Sequence, residues 1–287
     1  MNLPAPAPAS GTASPAVVQR DIHFGLGGAS LRDWHPLGPH VSQYFNAMSL
    51  FFPEGEQFFI DSVRHYRDRV TAPRQLEDVR GFIGQEAMHG REHRAYNQAL
   101  ADAGYPAVEL EAKALKQLKL ARRLLPRSGQ LAVTIALEHL TAIMAESLLG
   151  DERVLAGAPP QIAALWRWHA IEETEHKAVA YDVYQLAVGG GPKGYFLRCA
   201  IMLTATLRFI WQTMYTHYRL MKHDGLQRDW HGWRGLMRFL FVSPGVTWKI
   251  VLPWLSYFRP GFHPWQKDNR HHVERWKAEY AAQASPP

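Results

Sequence analysis

Apolar residues recur every three or four positions through most of the chain, and no stretch alternates convincingly between apolar and polar residues. The first pattern is typical of amphipathic α-helices, whereas strict alternation is typical of half-buried strands. We therefore predict an all-α protein. Prolines and glycines divide the pattern into four long helical regions, because these residues start or end helices; the regions span about residues 41–70, 73–103, 108–149 and 161–188.

Two of the predicted helices contain internal breaks. Pro53 and Gly55 lie inside the first helix and predict a kink or a fresh start. The sequence PRSG at residues 126–129 splits the third. Residues 1–20 are rich in Pro, Ala and Ser, carry no charged side chain before Arg20, and lack the basic start and apolar core of a secretory signal. We therefore predict a disordered tail there.

The C-terminal third of the chain has a different composition. Residues 194–223 and 236–258 are apolar and aromatic, yet neither supplies the roughly 20 uninterrupted apolar residues that a membrane span requires. Two interpretations stay open: these helices pack on the preceding domain and wall a pocket for a hydrophobic substrate, or residues 192–260 meet a membrane surface as amphipathic helices. We assign residues 21–190 to a helical bundle and 191–287 to this extension.

Composition narrows the function classes. Cys199 is the only cysteine, which excludes an intrachain disulfide and Cys-rich metal sites and fits a reducing compartment. The net charge is +6, but the sequence contains no nucleic-acid-binding motif and no glycine-rich phosphate loop, so we expect no nucleic-acid partner. We predict a cytoplasmic protein, or one that is peripheral at the inner face of the membrane.

The sequence HAIEETEH places three side chains that can bind metal on one helix. His169, Glu173 and His176 have i, i+4 and i+7 spacing, which places them within about 60° around a helix axis. Glu86 and His89 repeat the Glu-x-x-His spacing on the second helical region.

A single glutamate completes the pattern on each of the two other regions. Glu56 lies on the first, and Glu138 lies on the third within the apolar stretch LAVTIALEHLTAIMA. A buried carboxylate is costly unless it is protonated, paired or bound to metal. The alternatives are that Glu138 lies at a helix edge or that His139 satisfies it.

The order Glu, Glu-x-x-His, Glu, Glu-x-x-His, with one element on each helix, is the ligand pattern of di-iron and di-manganese carboxylate bundles. Either Glu-x-x-His pair alone is weak evidence, because this composition produces such pairs by chance. A mixed carboxylate and imidazole ligand set suits iron or manganese, with zinc a further choice.

The single glutamates and the two Glu-x-x-His pairs resemble the six ligands of ferritin-like dinuclear proteins. With His169 as a seventh ligand, the set is similar to that of the p-aminobenzoate N-oxygenases, whose site has an extra histidine. Over nearly the whole ordered chain the sequence also resembles a bacterial family described as predicted metal-dependent hydrolases, through SLFFPEGEQFFIDSVRHY, GFIGQEAMHGREH, ALEHLTA, HAIEETEHKAVAYDVY and YFRPGFHPW. The resemblance implies a ferritin-like four-helix bundle with additional C-terminal helices and two metal ions, iron first and manganese or zinc as alternatives. The implied ligands are Glu56, Glu86, His89, Glu138, His169, Glu173 and His176.

The implied function is O₂-activating oxidation of a small hydrophobic or aromatic substrate. The alternative is a metal-dependent hydrolase that uses hydroxide from a metal-activated water, and a second alternative is a non-catalytic metal-binding or membrane-associated protein. No catalytic residue is expected beyond the ligands, since Cys199 lies in an apolar run and no G-x-S-x-G sequence occurs.

The roles of several nearby side chains are less well defined by the sequence. Around the helix axis, Glu172 lies about 60° from His169 and about 40° from His176, so spacing alone does not decide between Glu172 and Glu173 as the ligand. We choose Glu173 because it completes the Glu-x-x-His pattern. His93 shares a face with Glu86 and is interpreted as a polar rim residue rather than an extra ligand. We predict solvent-facing side chains at Glu54, Glu92 and Glu175 and ordinary packing at Tyr96, Tyr181 and Asp182.

Overall fold

A computed structural model of the protein describes residues 14–26 and 30–284, and this part of the chain is helical without strands. The all-α prediction is confirmed. The helices are α1 (Pro39–Ser49), α2 (Phe52–Arg64), α3 (Pro73–Asp102), α4 (Ala107–Leu124), α5 (Arg127–Leu149), α6 (Pro160–His176), α7 (Val179–Ala187), α8 (Pro192–His223), α9 (Trp230–Phe241), α10 (Val246–Ser256) and α11 (Arg270–Ala284). Short 3₁₀ turns occupy Arg67–Arg69, Glu152–Val154 and Pro264–Gln266.

The predicted helical regions break where proline occurs, and twice where it does not; the first of these breaks is the end of α2 at Arg64, inside the predicted region 41–70. The first region divides into α1 and α2, and Pro53 lies in the first turn of α2, where its missing N–H costs nothing. The third divides into α4 and α5 before Arg127, as PRSG predicts. The fourth divides after His176 although neither Gly nor Pro occurs there. Lys177, at that break, is held by the carbonyl of Lys267 and the side chain of Asn269, which sequence spacing does not reveal.

Helices α2, α3, α6 and α5 form a closed arrangement in which each packs against two others of the set. Large side chains such as Phe58, Phe82, Leu131 and Leu165 are fully buried in the main apolar core that these helices share. The four helices that carry the predicted ligands therefore surround one interior volume. The ferritin-like topology itself stays a prediction.

The segment 14–26 lies against α3, and two glycines of that helix allow this close approach. A Cβ at Gly81 would lie 2.2 Å from the carbonyl oxygen of Val17, and one at Gly84 would lie 2.5 Å from Gln19 Oε1. Residues 14–20 of the predicted tail therefore lie along α3 without regular secondary structure, and residues 1–13 fall outside the described residues. The local sequence pattern does not predict this placement, because the contacts of Val17, Val18 and Gln19 are with α3, far away in the chain.

The C-terminal extension packs on the bundle. Helix α8 packs against α1 and α5, α9 against α1, α10 against α5, and α11 against α6. By length and composition α5 alone qualifies as a single membrane-crossing helix among the described residues, and 72% of its apolar window is buried inside the protein. The α9–α10 pair qualifies only when counted as one span bent by 44°.

We expect the substitution Gly81→Ala to release the N-terminal segment from α3. Alanine normally stabilises a helix interior by about 1 kcal/mol relative to glycine, but here the added methyl group would collide with Val17. Trypsin should cleave after Arg20 faster, and the free energy of unfolding should fall. The control is Gly235→Ala in α9, where a Cβ would meet nothing closer than 3.9 Å. Equal behaviour of the two variants would contradict the packing described.

Candidate metal centre

All seven predicted ligand side chains lie in the interior between α2, α3, α5 and α6, and none is more than 5% exposed. Helix α2 supplies one, α3 two, α5 one and α6 three, in the order Glu56; Glu86 and His89; Glu138; His169, Glu173 and His176. The structure therefore brings the whole predicted set together.

One end of the cluster is formed by Glu86, Glu138 and His176. His176 Nε2 lies 3.1 Å from Glu86 Oε1 and 3.4 Å from Glu138 Oε2. These three groups offer ligand atoms within 4.8 Å of one another, as a metal ion requires. Glu138 is thus part of the cluster and does not lie at a helix edge.

The other end is formed by Glu56, His89 and His169, whose ligand atoms also lie within 4.8 Å of one another. Glu86 and Glu173 lie between the two ends: His89 Nδ1 is 4.0 Å from Glu86 Oε2 and 3.9 Å from Glu173 Oε1. Glu86 and Glu173 therefore lie close to both ends of the cluster.

The buried carboxylates lack hydrogen-bond partners. Both oxygens of Glu56, Glu86 and Glu138 accept no hydrogen bond within the described structure, and neither ring nitrogen of His89 has an aligned partner. An unpaired buried carboxylate costs several kcal/mol, so such groups need a proton or a cation. Oxygen and imidazole nitrogen ligands that lack other partners fit transition-metal ions of the iron, manganese or zinc type.

The same burial shifts the pKa values of the cluster. Burial and neighbouring carboxylates raise the pKa of Glu86 well above its usual value, and burial does the same for Glu56 and Glu138. Burial also raises the pKa of Glu173, but hydrogen bonds from His169 and His176 outweigh it, so that pKa lies well below its usual value. Burial therefore favours the protonated form of Glu56, Glu86 and Glu138, and the ionised form of Glu173 is stabilised by its histidine neighbours.

Glu172 and Glu173 occupy different positions. Glu173 lies within the cluster, whereas Glu172 Oε2 lies 3.1 Å from His89 Nε2, the ring nitrogen turned away from the other ligands. Arg20 Nη1 donates a 2.8 Å hydrogen bond to Glu172 Oε1. A carboxylate behind a histidine orients the ring and increases its basicity as a ligand. This geometry separates the two acids, which helical spacing left equivalent.

His176 is held from behind by a similar chain of contacts. Its Nδ1 lies 2.9 Å from Gln85 Oε1, and Gln85 Nε2 donates to Glu175 Oε2 at 2.8 Å. Arg20 donates two hydrogen bonds, of 2.7 and 2.8 Å, to the carboxylate of Glu175. The prediction that Glu175 faces solvent is therefore wrong. Arg20 and Gln85 were missed, because Arg20 lies 155 residues from Glu175 in the sequence and no local pattern joins them.

The rim interpretation of His93 is also wrong. His93 is fully buried, and its Nε2 lies 2.7 Å from His169 Nδ1, while its Nδ1 lies 2.9 Å from the hydroxyl of Ser49. His169 Nε2 lies 3.0 Å from Glu173 Oε1. His93 therefore holds His169 from outside the cluster.

The remaining predictions divide between packing and burial. Glu92 is buried and accepts a hydrogen bond from the backbone N–H of Phe24, so its solvent-facing prediction is wrong, whereas Glu54 is partly exposed. His139 contacts the carbonyl of Pro253 and does not neutralise Glu138. The polar groups of Tyr96, Tyr181 and Asp182 contact residues outside the cluster, as the prediction of ordinary packing expects.

An apolar cleft reaches the cluster from one side. It encloses about 720 Å³, part of which is open to solvent, and its inner end is lined by Thr141, His169 and Glu173. The walls are mainly aromatic and aliphatic, with contributions from Phe45, Phe52, Trp166, Met144, Phe239 and Ile250. A small molecule with an apolar body could therefore lie beside Glu173, since ligand clefts commonly have an apolar lining of this kind.

A family model described as "Predicted metal-dependent hydrolase" matches residues 18–268, so the chain belongs to that family. No curated protein and no solved structure matches the chain significantly. The resemblance to ferritin-like di-iron proteins and to the N-oxygenases thus stays a prediction.

We expect Arg20→Ala to lower the free energy of unfolding by about 3 kcal/mol, because it leaves the buried carboxylate of Glu172 without its cation and leaves Glu175 with Lys277 alone. Arg20→Lys should lower the free energy of unfolding by less, since lysine keeps the positive charge but not the bidentate contact. The control is Arg153→Ala, whose own side chain is 65% exposed and whose partner Asp151 keeps Lys249, so that stability should change by less than about 0.5 kcal/mol. Urea unfolding of the metal-free proteins measures all three, and a loss at Arg20 as small as the control would contradict this role.

Proposed function

We propose that this member of the predicted metal-dependent hydrolase family binds two metal ions between α2, α3, α5 and α6 and hydrolyses a small apolar ester or amide in the adjoining cleft. The observation that carries the proposal is the set of unpartnered carboxylate oxygens on Glu56, Glu86 and Glu138, buried beside histidines whose outer faces are held by other side chains.

Two ions account for the geometry better than one. One ion would be held by Glu86, Glu138 and His176 and the other by Glu56, His89 and His169, with Glu86 and Glu173 available to both. Bound ions of this kind lower the pKa of a water molecule and polarise a substrate carbonyl.

The chain itself positions the substrate and the ligands. Glu173 lies at the junction of cluster and cleft, where Thr141 donates a hydrogen bond to Oε2 and His169 holds Oε1. The aromatic and aliphatic walls exclude water and orient an apolar acyl or aryl group towards Glu173. Phe52 packs edge-on against His93 and tilted against His169, so it closes the cleft beside the histidine pair.

Oxidation with O₂ is the second candidate, and one observation favours it. The two Glu-x-x-His pairs and the two single glutamates converge in one volume, which is the ligand arrangement of di-iron and di-manganese carboxylate proteins. The apolar cleft suits an oxidised substrate as well as a hydrolysed one.

Metal quantification of protein purified without oxygen, followed by two assays, tests the proposal. We expect about two ions per chain and cleavage of apolar p-nitrophenyl esters that proceeds without O₂ and stops on chelation. Protein that holds two iron ions, cleaves no ester or amide and consumes O₂ when reduced would favour oxidation. Protein that binds no metal would overturn both candidates.

We expect Glu138→Ala to remove at least one ion per chain, because that side chain supplies one of three ligands at its end of the cluster. The matched control is Glu146→Ala, on the same helix but paired with Lys267 outside the cluster. The metal content of both variants, measured after gel filtration, checks the expectation. Full occupancy in Glu138→Ala would contradict the assignment.

We expect metal affinity to fall as the pH is lowered from 8 to 6. Burial raises the pKa values of Glu56, Glu86 and Glu138, so protons compete with metal for these groups at higher pH than they do for an ordinary carboxylate. Raising the pH removes the competing protons and strengthens binding. Calorimetric titration with Mn²⁺ in buffers of different ionisation enthalpy should show net proton release. Binding that takes up protons, or that does not depend on pH, would argue against carboxylate ligands.

A further inference from the structure

We propose that the outward side of α8, α9 and α10 binds the surface of an anionic lipid bilayer and that the cleft receives its apolar substrate from that bilayer. The substrate route depends on the proposed function, whereas the binding of lipid does not. The surface is named the apolar face here and is centred on Leu207, Phe241, Val242, Trp248, Leu252 and Leu255, all of which are exposed.

Helix α10 is the clearest part of the apolar face. None of its eleven residues is buried, although the sequence VTWKIVLPWLS is almost wholly apolar. Trp248 is 64% exposed and Leu252 is 75% exposed, and with Leu255 they have the i, i+4, i+7 spacing of one helix side. A soluble protein rarely leaves such a side uncovered unless it contacts something apolar.

The exposed sides of the neighbouring helices extend this surface. Trp248 donates a 2.8 Å hydrogen bond to the carbonyl of Phe241, and the two rings lie 6.2 Å apart, which joins α10 to α9. On the other side, Trp254 donates a 2.9 Å hydrogen bond to Thr206 of α8, beside exposed Leu207. Three helices therefore present one connected apolar area.

Charge identifies the kind of partner. Residues 192–260 contain ten Lys and Arg against two Asp, a net charge of +8, while the whole chain has +6; the remainder of the chain therefore carries −2. Exposed Arg234 and Arg238 lie one turn apart on α9, beside exposed Met237. Basic residues next to Trp, Phe and Leu suit anionic headgroups above an acyl phase, whereas nucleic acid offers no apolar phase.

The apolar face and the cleft share a wall. Val246, Thr247 and Ile250 of α10 and Phe239 of α9 line the cleft whose inner end is His169 and Glu173. One side of α10 thus borders the path to the cluster while the other side is exposed. A substrate dissolved in lipid could pass around α10 into the cleft without crossing bulk water. This route would explain why the exposed side of α10 is apolar.

Vesicle co-sedimentation of the full-length, metal-loaded protein tests the proposal. We expect binding to phosphatidylcholine vesicles containing 30% phosphatidylglycerol, weaker binding to pure phosphatidylcholine, and partial release by 0.5 M NaCl. The double variant Trp248→Ser, Leu252→Ser should bind the anionic vesicles at least tenfold more weakly, because two side chains no longer enter the acyl boundary. Its cleavage of a water-soluble ester should be unchanged, since neither residue lines the cleft.

The matched control is Val108→Ser, Leu124→Ser on α4, which replaces side chains that are 69% and 68% exposed. It should bind vesicles as the unaltered protein does. Active, metal-loaded protein that ignores anionic vesicles would overturn the proposal, as would a double variant that binds as the control does. Light scattering that shows a dimer dissociated by the double substitution, without vesicle binding, would assign the face to a second copy of the chain. Vesicle binding by protein that holds no metal would overturn only the proposed function and the substrate route.

Discussion

The burial of several carboxylates in one small volume is the constraint on which the rest of the structure depends. Glu56, Glu86, Glu138 and Glu173 are enclosed by four helices, and their mutual repulsion in a medium of low polarity would oppose folding. The three neighbouring imidazoles offset part of this cost in the metal-free chain. Bound metal ions would offset it more fully, because several carboxylates could share the charge of each ion.

The surrounding structure serves to hold these ligands. Arg20 fixes Glu172 beside His89 and Glu175 behind Gln85 and His176, so one guanidinium holds two carboxylates on the outer side of the cluster. That contact requires the N-terminal segment to lie on α3, which the absence of side chains at Gly81 and Gly84 permits. On the opposite side, α9 and α10 complete the cleft. The N-terminal segment, the cluster and the cleft are therefore physically connected.

The sequence alone predicted the helical class, most helix breaks and the common face of His169, Glu173 and His176, because periodicity and spacing are local properties. The full set of seven side chains was what the family resemblance implied. It did not predict the roles of Arg20, Gln85 and His93, which depend on contacts between residues far apart in the chain. The sequence also predicted a solvent-facing Glu175. Its position on the helix gave no sign of burial, because its partner Arg20 lies far away in the sequence. The break after His176 was missed for the same reason, since Lys177 is held by a distant loop rather than by a local Gly or Pro.

The central claim is that the cluster binds two ions that share carboxylates. The most direct measurement is the crystal structure of the metal-loaded protein, with anomalous differences recorded on both sides of the absorption edge of the metal. The account predicts two anomalous peaks about 3.5–4 Å apart, one beside Glu138 and His176 and the other beside Glu56 and His169. A single peak at full occupancy, or metal bound elsewhere while these side chains pair with one another, would contradict it.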